Sequence, residues 1–240
     1  MSARSRHPGS PAANRGRTIY LNLVLFAVAF GWIEGSVVVY LRELYFHNAG
    51  PNARLFPVVF LSDRLAHVEI VREFCTMVLL AVVGWLSGSR WAARIGSFLL
   101  LFGIWDLTYY GVLKLVLDWP TSLSTWDILF LIPLPWIAPV WAPAAVAAMF
   151  VGLGSYLFWT GDRPRAYRPT DAAVLFASAF MIVASFLADW RVAVEQQIPQ
   201  HFHGWLFWAG VVLGIVWFVR VERGVATSPA TAIQRPNDRP

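Results

Sequence analysis

Apolar residues run along this chain in six long stretches, near 19–41, 66–87, 93–117, 137–159, 172–190 and 204–221, separated by short polar or Pro- and Gly-bearing connections. Each is close to the ~20 residues that a helix rising 1.5 Å per residue needs to cross a hydrocarbon core about 30 Å thick. The pattern predicts an all-α fold: a polytopic membrane bundle of six transmembrane helices. Residues 1–17, "MSARSRHPGSPAANRGR", combine Pro, Gly and Ser with arginines and read as a disordered basic tail. Residues 18–223 form the membrane domain in this reading, and residues 224–240 a second tail.

The fourth stretch departs from the pattern. From Asp127 to Trp159 it is too long for one straight span, and Pro133, Pro135, Pro139 and Pro143 interrupt it. "WDILFLIPLPW", residues 126–136, is predicted to be a short interfacial or re-entrant piece capped by Ser124 or Thr125; "LFPVVFL", residues 55–61, is expected to lie in the interface as well. "AVA" at Ala27 to Ala29 resembles a signal-peptide cleavage site, but the apolar run continues through Val39, which predicts an uncleaved first helix.

Composition agrees with the pattern. Charged residues make up 14% of the chain, well below the roughly 25% of a soluble domain, which points to an integral membrane protein. A single cysteine, Cys75, excludes an intrachain disulfide and is expected to be a small core residue rather than a nucleophile. The net charge of +5 does not indicate nucleic acid, because the arginines flank apolar segments and no basic aromatic platform is present. With the N-terminus inside, thirteen of the nineteen Lys and Arg residues fall on the cytoplasmic side and six on the other. The rule therefore predicts a bacterial inner-membrane protein with both termini cytoplasmic. Trp119, Trp126, Trp136, Trp141, Trp190 and Trp205 would form the outer aromatic belt, and Trp85, Trp91, Trp159 and Trp217 the inner one.

Candidate chemistry enters with Glu34, in "FGWIEGSVVVYLR". A carboxylate at mid-bilayer costs roughly 2.5–3.5 kcal/mol on insertion scales, so it needs partners, water or a task. "FGIWDLTYYGVLK", residues 102–114, matches that stretch at an offset of 72, setting Asp106 against Glu34 and Lys114 against Arg42. A duplication would give parallel helical hairpins, with Asp189 a decayed third copy. In the second stretch Glu69, Arg72 and Glu73 share one helix face by their spacing, and Arg72 can pair with either acid. The alternating topology puts Glu34, Glu69, Glu73 and Asp106 in the outer half, facing two bases, Arg72 and Lys114. Such a surplus of acid takes up protons or binds cations.

His47, His67, His201 and His203 fall on the same outer side, and "QHFHGW" can bring an imidazole to the acids. The candidate catalytic residues are Glu34, Glu69, Glu73, Asp106 and His203; Arg72, Tyr109 and Tyr110 are candidates for binding substrate. Glu34, Glu69, Glu73, His201 and His203 are candidate ligands of a divalent metal, since His with carboxylates suits Zn, Fe or Mn. The bland alternative, that these groups only neutralise one another near the headgroups, stands beside each of them. No nucleophile elbow, H-E-x-x-H, Walker A or G-x-G-x-x-G motif is present, and "GLGSY" is not G-x-S-x-G. Gly31 with Gly35, and Gly210 with Gly214, have the spacing of small-residue helix contacts. The leading functional expectation is a membrane-embedded enzyme acting on a lipid or other amphiphile by metal-assisted or acid–base chemistry. Three others compete: a proton- or cation-coupled transporter, a haem or quinone protein with His67 and His203 as axial ligands, and a structural subunit whose ion pairs only set helix register.

Overall fold

A helix satisfies its own backbone donors and acceptors, and that is the condition for an apolar run to exist in hydrocarbon. The computed structural model of the chain, which describes residues 11–46, 63–161, 163, 168–195, 197 and 199–227, folds all six stretches this way. They are α1 (Pro11–Phe46), α2 (Asp63–Ser87), α3 (Trp91–Leu117), α4 (Trp141–Thr160), α5 (Pro169–Leu187) and, after a short α6 (Trp190–Val194), α7 (Gly204–Thr227). Six of these helices are long and apolar enough to cross a membrane, the make-up of a multi-pass membrane protein. Proline marks helix starts: Pro11 and Pro169 open α1 and α5, and Pro143 sits in the first turn of α4, where an amide hydrogen has no partner inside the helix. Because α1 begins at Pro11 and α7 continues to Thr227, both segments read as tails contribute residues to helices. The stretch 55–61 and His47 lie outside the described residues.

The fourth stretch is where expectation and structure part. Trp126 to Phe130 (β1) and Trp136 to Pro139 (β2) form an antiparallel hairpin, with Trp126 opposite Pro139, Asp127 opposite Ala138 and Ile128 opposite Ile137. Neither a re-entrant helix nor a helix cap is present here. Pro133 and Pro135 supply no amide hydrogens, so "IPLP" makes the connection while the flanking Trp, Ile and Phe suit strands. Thr125 accepts the Ser122 N–H at its hydroxyl, 3.1 Å away, and shapes a turn instead of capping a helix.

The described residues divide into two compact units, one running to Arg163 with residues 186–202 added, the other holding residues 164–185 and the chain from His203. In the first, α3 is the central helix. Gly31 of α1 lies so close to it that a Cβ would come 2.6 Å from the Trp105 carbonyl oxygen, and at Gly35 one would come 2.8 Å from Val112 Cβ. On the α4 side, a Cβ at Gly103 would meet the Ala147 carbonyl oxygen at 2.4 Å. The contact order makes α1 parallel and α4 antiparallel to α3. Leu23, Ala27, Leu80, Leu100, Leu101 and Trp105 form the core between α1, α2 and α3, and Ile137 of the hairpin packs with Ala193 of α6.

The second unit pairs α5 with α7. Ser178 donates to the Gly210 carbonyl oxygen at 2.8 Å, and a Cβ at Gly214 would meet the Ser178 hydroxyl at 2.4 Å. Trp217 donates to Asp171 at 3.1 Å. The two glycine pairs singled out by spacing thus sit at helix contacts in both units. Cys75 does not: it is exposed on α2 beside exposed Phe74, because the apolar setting of that face is the surroundings of the helix and not a protein core.

Candidate functional site

Positions 69, 72, 73 and 76 of α2 recur at helical spacing and so lie along one face. That face meets α1 at Glu34. Arg72 Nη1 is paired with Glu34 Oε1, while its Nε and Nη2 reach Glu69 Oε2 at 2.8 and 2.7 Å. One guanidinium therefore bridges carboxylates from two helices. The other Glu34 oxygen accepts the Thr76 hydroxyl at 3.3 Å, one turn further along α2. Glu34, Glu69, Glu73 and Thr76 are all buried.

Glu73 turns away from this bridge. Its Oε2 accepts the backbone N–H of Leu131 at 2.8 Å, at the end of β1, so an acid on α2 ties down the hairpin. A second tie comes from α3, where Tyr110 donates to Asp127 Oδ2 at 3.0 Å. Tyr109, packed edge-on against Tyr110, lies within electrostatic range of Arg42, Arg72, Asp106 and Asp127. This one side chain links the Glu34 bridge to the Asp127 pair. Asp106 is near Asp127 and makes no hydrogen bond or ion pair among the described residues.

Asp127 lies outside the six spanning helices and is 3% exposed. Burial pushes its carboxyl from the ordinary 3.8 up to about 6, outweighing Arg42, the Tyr110 hydroxyl and the Ile128 N–H, which all favour the charged form. A carboxyl raised on folding contributes stability that is full below its unfolded value and lost as pH rises through its folded one. The unfolding midpoint of the purified protein in micelles is therefore expected to drop as pH rises through about 6. Asp127→Asn should flatten that step; an unaltered step in the variant would remove Asp127 as its source.

The sequence candidates separate on this geometry. Glu34, Glu69 and Arg72 come together directly, with Glu73 and Tyr109 near Arg72, whereas Tyr110 and Asp106 lie near Tyr109 and Asp127. Two carboxylates engage three of the five Arg72 N–H donors, so much of the guanidinium expected to hold an anionic substrate is committed within the chain. His67 is exposed and lies about 200° around α2 from Glu69, two residues on at 100° each. His201 is exposed, and His203 precedes α7 in the second unit, its carbonyl accepting the N–H groups of Leu206 and Phe207.

Among the described residues, no three His, Cys, Asp or Glu side chains are grouped so as to hold a metal ion. The physical reason is visible at the acids: Arg72 stands between Glu34 and Glu69, and Glu73 is engaged by Leu131. Three participants were missed. Thr76 has no signal beyond its place three residues after Glu73. Asp127 is hidden in a segment that its prolines dominate, and Arg42 carries a signal only as a flanking charge and as the match of Lys114. No protein-family model matches this chain, and neither a curated protein nor a solved structure is similar enough to count as a match.

Proposed function

We propose that the chain is a multi-pass protein of a bacterial inner membrane, with both termini cytoplasmic, that carries out acid–base chemistry on the polar head of a lipid or other amphiphile. The observation that carries this reading is the arginine bridge: Arg72 holds Glu34 of α1 and Glu69 of α2 at fixed positions, next to Glu73. A carboxylate held in place by a guanidinium is positioned to serve as base. A neighbouring carboxyl without such a partner is free to carry the proton. Asp106 is such a carboxyl, with Tyr109 beside it. Transport would need polar groups continuing along the helices, whereas Leu23, Ala27, Leu80, Leu100 and Leu101 fill the core that adjoins the site.

The test is a comparison of total lipid extracts, by mass spectrometry, from cells producing the wild-type chain or Glu34→Gln. A lipid-derived product is expected with the wild type. The variant should reach the membrane in equal amount while the product falls by about a hundredfold or more, the scale of a lost acid–base group. Identical extracts from both, at equal protein levels, would refute the proposal.

A further inference from the structure

Arg42 has no place in the acid–base chemistry above. Near the end of α1 its guanidinium carbon lies 4.0 Å from the centroid of the Trp119 ring, which is itself buried and stacked near Tyr110. Its Nε is shut off from solvent and has no hydrogen-bond partner. Asp127 is within electrostatic range, yet that carboxylate is committed to the Tyr110 hydroxyl and the Ile128 N–H. Arg42 makes no ion pair or hydrogen bond among the described residues. A buried charged donor without an acceptor forfeits the water it has lost, so an acceptor beyond the described residues is called for. A guanidinium flattened on an aromatic ring offers its edge in the fork that suits phosphate oxygens.

The surroundings narrow the choice. Five acids, Glu34, Glu69, Glu73, Asp106 and Asp127, stand against Arg42 and Arg72. That surplus disfavours a dianion and favours a phosphate carrying its own cation. We propose that Arg42 holds the phosphodiester of a zwitterionic phospholipid headgroup, whose ammonium group is met by the surplus acid. The inference rests on the function proposed above and names the class of amphiphile that its site takes. Arg42, and not Arg72, is then the residue that grips the substrate's anion.

The experiment uses the full chain in micelles, offered phosphatidylethanolamine, phosphatidylglycerol or inorganic phosphate, with bound lipid counted by native mass spectrometry. The wild type is expected to retain phosphatidylethanolamine in preference to phosphatidylglycerol, and millimolar inorganic phosphate should not displace it. Arg42→Gln should lower that retention about tenfold, the worth of one charge-assisted contact. Arg42→Lys, which keeps the charge but loses the flat stacking, should lower it less, by about threefold. Equal retention by Arg42→Lys and Arg42→Gln and the wild type, equal retention of both lipids, or displacement by inorganic phosphate would each overturn the headgroup assignment. Arg42-dependent retention together with identical lipid extracts from wild type and Glu34→Gln would sink the chemistry and leave the headgroup site standing, while Arg42-independent retention with a lost product would do the reverse.

Discussion

Arg72→Met is expected to destabilise the folded chain by about 3–5 kcal/mol, the range for removing one member of a buried ion pair. The reason is what stays behind. Glu34 and Glu69 are both buried and both take their charge partner from this one guanidinium. Met fills much of the same volume, so packing loss is small and the cost falls on two carboxylates left facing each other. A shift of the unfolding midpoint in micelles measures it. Removing an acid together with the arginine should recover part of the loss, since fewer uncompensated charges then remain buried. A loss below about 1 kcal/mol, the level of an exposed surface pair, would show that water reaches both acids freely.

Gly31→Ala is the second large effect, and it acts on the site through the packing of α1 against α3. The added methyl would stand 2.6 Å from the Trp105 carbonyl oxygen and 2.8 Å from Thr108 Cβ. A backbone oxygen cannot step aside as a flexible side chain does, so α1 must move away from α3, at a cost of about 1–3 kcal/mol for overpacking. Glu34 sits less than one turn further along α1, and the same movement drags it from Arg72. Gly152→Ala supplies the comparison, because nothing lies within 4 Å of a Cβ there. It should leave stability unchanged or raise it by roughly 0.5–1 kcal/mol through better helix propensity. Equal tolerance of both substitutions would mean that α1 and α3 do not pack at the distance described.

The helices were legible because hydrocarbon imposes one rule on every residue of a span, and long apolar runs announce it. The row Glu69, Arg72, Glu73 was legible for a related reason: helical spacing fixes which side chains share a face. That Arg72 would choose Glu34 and Glu69, and leave Glu73 to the Leu131 amide, was not. A carboxylate bonded to a backbone N–H 58 residues away leaves no mark on side-chain types, since any residue but proline offers that donor. The hairpin was missed because prolines say where a helix cannot continue but not what replaces it. Once Pro133 and Pro135 are seen as the turn, "WDILF" and "WIAP" are ordinary strand sequence and Asp127 faces Tyr110.

The matched stretches of α1 and α3 show how far a sequence echo reaches. Gly31 and Gly103 both mark close helix contacts, one against α3 and the other against α4. The matched acids differ: Glu34 is bound by Arg72 and Thr76, and Asp106 by neither. Topology sorts the histidines to one side of a membrane but does not aim them. His67 faces away from the acids that flank it in sequence.

The most direct test of the central claim, that Arg72 locks carboxylates of separate helices into one buried site, is a double-mutant cycle between Glu34→Gln and Arg72→Met, read as unfolding free energy in micelles. The coupling is expected to be about 1.5–3 kcal/mol, as for contacting residues in one ion-pair network. Additivity of the two substitutions to within about 0.5 kcal/mol would mean that the two side chains do not meet, and would contradict the account.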